Sequence, residues 1–445
     1  MPKKETNLDA AWNALDSEYE LIKHIEADGV VELTAEQIHA VRESGKYKGV
    51  KFEPRLLTHF DNRQQQPSLF LDNNVSILPK QRGSYVIGTF NPFVSITDYE
   101  KFETIHIRPV PLVSATADNR MNEAMGLNYA LACGILQDFT GQELKSTIAG
   151  RHAAGTWNYG IKSGKATVKL LAENPQIEVD GGYEGPDSII LTEAKNNIVQ
   201  EFCLRQLYFP YRTWLNKVKK PIRCVFVAIS GDDYYLVEYV FPDPELFHAN
   251  RIKTLHYIVD ANEITETKLI KLFNNAVCKP EPEDIPFPQA DNTRTTFDII
   301  EYYGQNAEVD KWDIAKYVGF TDRQSDYFCN SAAYFGFLER NGNGRFTLTP
   351  RGKSFCNAST RKRKELFASA LFERPVFRDC YQYYLENKVI PDRNATIEIM
   401  KRHIKLNTEG MYTRRSSTVR SWTKWLADIT EEYRGTRKTR EYWIS

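Results

Sequence analysis

The chain has 445 residues, too many for one hydrophobic core, so roughly three or four domains are expected. Hydrophobic residues make up 42% and charged residues 26%, the proportions of an ordinary soluble globular protein. No apolar run reaches the roughly 20 residues that a bilayer span needs, and the start, Met-Pro-Lys-Lys-Glu-Thr, lacks the apolar region of a signal peptide.

Seven cysteines are scattered without a Cys-x-x-Cys pair, a pattern of the reducing cytosol rather than of disulfides or structural zinc. Lys plus Arg and Asp plus Glu each number 58, so the net charge is zero. For a nucleic-acid partner, distribution matters more than the sum. From Lys401 to Arg440 there are eleven Lys or Arg against four acids, so the C-terminal end is basic.

In chain order, residues 8–24 have helical spacing, and Thr34-Ala-Glu-Gln37 has capping-box form and opens a second helix. Residues 67–113 read as strands: SLFLDNNVSILP, SYVIGTF and ETIHIRPVPLV. Residues 120–138 read as one long helix. A hairpin over 176–196 follows, then a helix over 199–216 and strands over 222–229 and 234–241. This alternation predicts a multidomain α/β protein. Four prolines between Lys279 and Asp291 predict a linker, beyond which the chain is mainly helical. The expected division is 1–115 as an N-terminal α+β extension, 116–278 as the core, 279–292 as the linker, then 293–360 and 361–445.

The hairpin carries the chemistry. Glu193 and Lys195 lie two apart on a strand and share a face. Gly185-Pro-Asp-Ser188 has turn chemistry. A turn centred between Pro186 and Asp187 sets position 180 opposite 193, with Cβ atoms about 5 Å apart. Asp187 is then a turn residue, because six residues of strand, roughly 20 Å, separate it from Glu193. Glu178 shares the face of Asp180 as an auxiliary acid. Asp180, Glu193 and the Ala194 carbonyl offer magnesium hard oxygen ligands. Lys195 can activate a water and stabilise phosphorane charge. An isolated Glu-x-Lys is ordinarily a solvated strand edge; the facing aspartate makes this one different. Glu123 is a candidate fourth acid, and Gln206, on the following helix with Arg205, Tyr208 and Arg212, can touch the lysine or a phosphate.

Asp180, Glu193-Ala-Lys195 and a following helix with Gln206 resemble the PD-(D/E)xK nuclease superfamily. Within it the chain is similar to type II restriction endonucleases with C-terminal winged-helix domains. The segments Glu53–Asp61, Ser76–Pro79 and Arg82–Gly88 also look similar to parts of such enzymes. The resemblance implies a restriction-endonuclease-like core, a mixed sheet flanked by helices. It also implies Mg2+-dependent double-strand cleavage leaving 5′-phosphates, a companion DNA methyltransferase and a prokaryotic cytoplasmic setting without a membrane partner. Double-strand cutting suits a homodimer; a monomer that nicks sequentially is the other arrangement. The written motif places Pro-Asp next to the metal, whereas here it falls in the turn.

Residues 293–360 fit a winged helix, with helices over Thr296–Tyr303 and Asp310–Val318 and a recognition helix over Asp322–Phe335. The wing runs over Leu338–Leu348 with its tip at Asn341-Gly-Asn-Gly344. Arg323, Gln324, Asp326 and Asn330 are candidates for base or phosphate contact, and Arg345, Arg351 and Lys353 for the backbone. In the second unit, Arg414–Trp425 reads as another recognition helix. Arg414 opens it, Arg415, Ser417, Thr418, Arg420, Ser421 and Lys424 form its polar side, and Val419, Trp422 and Trp425 face inward. The function expected is a type II restriction endonuclease acting on double-stranded DNA. The alternatives are a repair or junction nuclease, and a winged-helix regulator on an inactive nuclease fold.

Overall fold

The structure is a computed structural model that describes residues 6–107, 109–110, 112, 122–259, 264–306, 309–341, 345–358, 360–429 and 439–440. The wing tip at 342–344, residues 120–121 of the expected long helix, and Arg434, Arg437 and Lys438 lie outside the described residues.

An eight-stranded mixed sheet forms the centre. Its order is Thr439–Arg440, Thr104–Ile107, Asn250–Val259, Asp233–Val240, Ile222–Ser230, Ile189–Lys195, Gln176–Glu184 and Lys145–Ala153. Ile189–Lys195 runs parallel to Ile222–Ser230 and antiparallel to Gln176–Glu184. Ile222–Ser230 is apolar on both faces, as a doubly covered strand must be. Cys224, Phe226 and Ala228 pack with Leu207 and Phe209 of the helix Arg205–Leu215. Val225, Val227 and Ile229 pack on the other face with Leu127, Leu136 and Phe139. The helix expected over 120–138 is two, Glu123–Ala132 and Ile135–Thr140, because Gly134 at φ 76° breaks it.

The N-terminal region has its own core around Trp12, Leu15, Ile38 and Ile87, on a sheet of Val30–Thr34, Ser84–Gly88 and Ser76–Gln81. The expected capping box forms: Thr34 Oγ1 accepts from Gln37 N at 3.2 Å and Gln37 Oε1 from Thr34 N at 2.8 Å. The first helical stretch is two helices, Asn7–Tyr19 and Leu21–Asp28, broken at Glu20 with φ 44°. Ser68–Asn73, expected as strand, is helical.

After residue 292 the helices are Thr293–Gln305, Lys311–Val318 and Asp322–Tyr334, followed by the short strands Leu338–Arg340 and Phe346–Leu348. The three helices and two strands follow in the order expected. Two boundaries differ. One buried cluster runs from Ile264 to Ala427, so no division between separate cores falls at residue 360. The segment 279–292 is fastened down rather than free. Phe287 and Ala290 join that cluster, Lys279 N donates to Glu373 O at 2.8 Å, and Val376 N donates to Glu281 at 2.9 Å. Prolines stiffen this segment along the surface instead of making it a tether.

The C-terminal region is locked to the rest. The last carbonyls of a helix lack intrahelical partners, and those of Lys311–Val318 find them outside. Lys316 O accepts from Asn62 Nδ2 at 2.9 Å, Tyr317 O from Asn197 Nδ2 at 2.7 Å and Val318 O from Gln200 N at 2.8 Å. Among the described residues no helix is long and apolar enough to cross a membrane.

Candidate functional site

The hairpin has the register derived from its turn. Ile189 pairs with Glu184 and Thr192 with Gly181, and one further step sets Glu193 beside Asp180. Gly185 N donates to Ser188 O at 3.0 Å, and Asp187, exposed in the turn, donates its N–H to Gln142 at 3.1 Å. Gly181 and Gly182 let the strands close. A Cβ on Gly181 would lie 2.6 Å from Tyr183 Oη and 2.8 Å from Thr192 Oγ1, and one on Gly182 2.6 Å from Ile148 Cβ.

Beyond the Thr192–Gly181 pair the side chains take over. Asp180 Oδ2 accepts from Ala194 N at 2.9 Å. A strand residue's N–H and C=O face one edge, so the Ala194 carbonyl lies on the side of Asp180. Lys195 Nζ donates to Glu193 Oε1 at 2.7 Å, and Gln206 Nε2 donates to the same oxygen. Both donors also reach a residue from the N-terminal region. Asp61 Oδ1 is 3.4 Å from Lys195 Nζ and 3.2 Å from Gln206 Nε2. Glu123 opens its helix near Asp180 and acts on it electrostatically. Asn196, with its amide oxygen turned to that helix, accepts from Asn122 N and Glu123 N, each at 3.2 Å. All five residues of the expected catalytic set are therefore together.

The charges explain the titration. Burial pushes the Glu193 carboxyl up to about 8, with Asp180 adding to the rise and Lys195 opposing it. Burial also raises Asp180, against the Ala194 N–H and Lys195; Glu123 adds to the rise. For Lys195 burial acts downward, but Glu193 and Asp61 outweigh it and keep the ammonium protonated. Burial would raise Asp61, yet Lys195, His59 and Arg205 hold it low. Asp61, Asp180 and Glu193 crowd around one ammonium, and the upward shifts of Asp180 and Glu193 mark carboxyl groups whose charged forms a divalent cation would stabilise. The donors are of the right kind: two carboxylates and a carbonyl are hard oxygens, and magnesium keeps several waters besides one or two carboxylates. Gln206 Oε1 is buried with no hydrogen-bond partner. Among the described residues no three His, Cys, Asp or Glu side chains form a metal cage by themselves.

These groups floor a cleft of about 680 Å³ between the N-terminal region and the core. Its rim is basic, with Arg55 and Arg82 from the N-terminal region and Arg151 and Arg205 from the core. His59 lines it too, lowered to about 4 by desolvation in the cleft, Arg205 and Lys195, and so neutral at pH 7. Glu178 is exposed and pairs with Arg151 at 3.5 Å. Tyr208 and Arg212 are buried; Arg212 Nη1 donates to Tyr208 Oη at 2.9 Å and to the Pro244 carbonyl. Sequence reading missed Asp61 as a site residue, and also the rim arginines Arg55, Arg82 and Arg151. Their one signal was the Glu53–Asp61 and Arg82–Gly88 segments singled out for resemblance.

The expected DNA readers divide. Arg323 is exposed and packs over Tyr327 at 5.6 Å, and Arg345 is exposed at the wing. Gln324 is exposed but is the capping partner of Thr321, accepting from its N and Oγ1, each at 3.0 Å. Asn330 lines a recess beside Asp284 and Pro286, and Arg351 is tied to Glu373 at 2.5 Å. Arg414–Trp425 corrects the expectation most. It belongs to Glu409–Asp428, a helix buried in its unit, with Trp422 in tilted ring contacts with Phe335, Phe367 and Phe377. Thr418 is 1% exposed and cannot touch DNA. Arg420 Nε donates to Pro391 O at 3.1 Å and Ser421 to Asp291 O at 2.5 Å. Arg415 is half-buried, its charge disfavoured by burial and Arg414. Arg414, Ser417 and Lys424 stay exposed.

Three family models match the chain. Residues 9–87 match DUF6996, residues 88–258 match DUF6997 and residues 297–431 match DUF7226, each described as a domain of unknown function. No curated protein and no solved structure matches the chain. The third match spans both expected DNA-reading units, in keeping with their single core.

A second buried charged group sits where the sheet meets the C-terminal region. His256 Nε2 is 2.8 Å from Asp233 Oδ1 and its Nδ1 3.1 Å from Thr104 Oγ1. Arg294 Nε donates to Ser230 Oγ at 2.6 Å and lies 3.7 Å from Asp298. Asp298 accepts from Ser230 Oγ and from Ile198 N at 3.3 Å.

Proposed function

We propose that the chain is a magnesium-dependent nuclease acting on double-stranded DNA, and that its biological form is a site-specific restriction endonuclease of the PD-(D/E)xK type. One observation carries this reading: Asp180 beside Glu193-Ala194-Lys195, at the open end of a paired hairpin, in a cleft with an arginine rim. Asp180, Glu193 and the Ala194 carbonyl would hold magnesium, which when bound supplies Lewis-acid polarisation of the phosphoryl group and a water of lowered pKa. Lys195 directs its ammonium at the attacking oxygen and at the charge that builds on phosphorus. Gln206 orients Glu193. The rim arginines hold flanking phosphates, while Arg323 and Arg345 extend the contact to the winged-helix side. Water attack with departure of the 3′ oxygen leaves a 5′-phosphate. A homodimer, a companion methyltransferase and a cytoplasmic setting belong to this reading.

The test is digestion of phage DNA with Mg2+ followed by end sequencing. Discrete fragments sharing a sequence at their ends are expected, and Asp180→Ala should bind the same DNA without cutting it. Cleavage confined to branched or damaged DNA would favour a repair enzyme. Binding without cleavage by the wild type, with Mg2+ or Mn2+, would favour the inactive-fold regulator.

A further inference from the structure

We propose that Asp61, delivered by the N-terminal region, is a positioning residue of this site that receives Lys195 and Gln206 when Glu193 turns to a divalent cation; the inference rests on the nuclease reading. In the structure both donors are shared. Lys195 Nζ lies 2.7 Å from Glu193 Oε1 and 3.4 Å from Asp61 Oδ1. Gln206 Nε2 donates to Glu193 Oε1 and to Asp61 Oδ1, the latter at 3.2 Å.

Glu193 Oε1 therefore serves two donors at once. A carboxylate that becomes a ligand gives up lone pairs, and a buried ammonium or amide left without an acceptor is costly. Asp61 removes that cost, because the same oxygen already faces both donors and need only keep them. It does not hold its own loop together: the Asp61 backbone N–H donates to Gln65 Oε1 at 2.8 Å, while the carboxylate points across to the core. That segment is in turn fixed by Arg63 N, which donates to Glu201 at 2.5 Å, and by Asn62 on the Lys316 carbonyl. The carboxylate is thus carried on a braced backbone into a site whose other members come from the core. The N-terminal region is a component of the reacting centre and not only a wall of the cleft.

Mn2+ titration of the DNA-free protein by calorimetry, beside steady-state cleavage, tests this in wild type, Asp61→Asn, Asp61→Glu and Asp180→Asn. Asp180→Asn is expected to abolish Mn2+ binding. Asp61→Asn should weaken it about fivefold and lower kcat by about tenfold or more, with KM for DNA within about twofold. Asp61→Glu, which restores the acceptor, should recover most of both, and all variants should keep the wild-type melting temperature. An Asp61→Asn enzyme with wild-type Mn2+ affinity and kcat overturns the role of Asp61 and leaves the nuclease reading standing. So does one that loses only KM. A wild type that neither binds Mn2+ nor cuts DNA overturns the nuclease reading and this inference with it.

Discussion

Two buried clusters of acids and bases stand on the same sheet, and their contrast says more than either alone. In the hairpin cluster three carboxylates face one ammonium, two donors are each split between two acceptors, and the group opens onto a cleft. In the cluster of Asp233, His256, Arg294 and Asp298, each acid has a basic partner, Ser230 bridges two of them, and Asp233, His256 and Arg294 line a smaller recess of about 200 Å³ where the sheet meets the helix Thr293–Gln305. Both show shifted titration: Glu193 is raised to about 8, and Asp233 is held down at about 2 because His256 and Arg294 overcome the upward effect of burial. A perturbed carboxyl by itself does not mark a site. Donors shared between acceptors at the base of a wide cleft point to function, and pairs that join the sheet to a docked helix beside a narrower recess point to a joint.

The sharpest break of this comparison is a crossed pair of substitutions. Lys195→Ala should lower the cleavage rate by about 10³-fold or more while the enzyme remains folded at the assay temperature. Arg294→Met should do the reverse, costing about 3–5 kcal/mol of stability in denaturant unfolding because it strands buried Asp298. If Arg294→Met left stability intact and abolished cutting, the two clusters would have to exchange roles.

A smaller effect is expected with pH. Burial lifts Asp298 to about 7, against the pull of Arg294. The folded state then holds this proton more tightly than the unfolded chain, so its contribution to stability falls as pH rises from about 4 to about 7. Asp233, depressed to about 2, contributes the opposite slope: its stabilisation is present above about 4 and is lost as pH falls toward 2. Asp298→Asn should make the first slope shallower, leaving the part of the same sign that Glu193, raised to about 8, contributes, and keep the second, as read from unfolding free energies at a series of pH values. The smallest effect concerns the exposed readers. Arg323→Ala and Arg345→Ala should each reduce the slope of log affinity against log salt by about 1. An unchanged slope would remove the winged-helix face from the DNA path.

What was legible in the sequence follows from how local the determinants are. The turn Gly185–Ser188 fixes the hairpin register, and register places Asp180 against Glu193. The capping box at Thr34 likewise needs only four residues. Asp61 was not legible as a site residue because it meets Gln206 across 145 residues of chain, a distance no spacing rule spans. The buried helix Glu409–Asp428 misled for a different reason. Its Ser and Thr look polar, yet Thr423 Oγ1 donates to Val419 O at 2.8 Å and Ser416 Oγ to Thr413 O at 2.9 Å. Hydroxyls that satisfy themselves on their own helix can be buried cheaply, so hydropathy alone cannot separate such a helix from a surface one. Ser68–Asn73 was read as strand from its apolar run, which is too short for periodicity to decide.

The three carbonyl bonds at the end of Lys311–Val318 tie together Asn62, Asn197 and Gln200. Those residues flank Asp61 on one side and follow Lys195 on the other, while the helix Asp322–Tyr334 starts just past the tied end. In the proposed nuclease, the face that would meet bases and the position that would be cut are thereby held on one frame. An enzyme so built would measure: the offset between what it reads and where it cuts would be a built-in length, and changing Arg323 or its neighbours should leave that offset untouched.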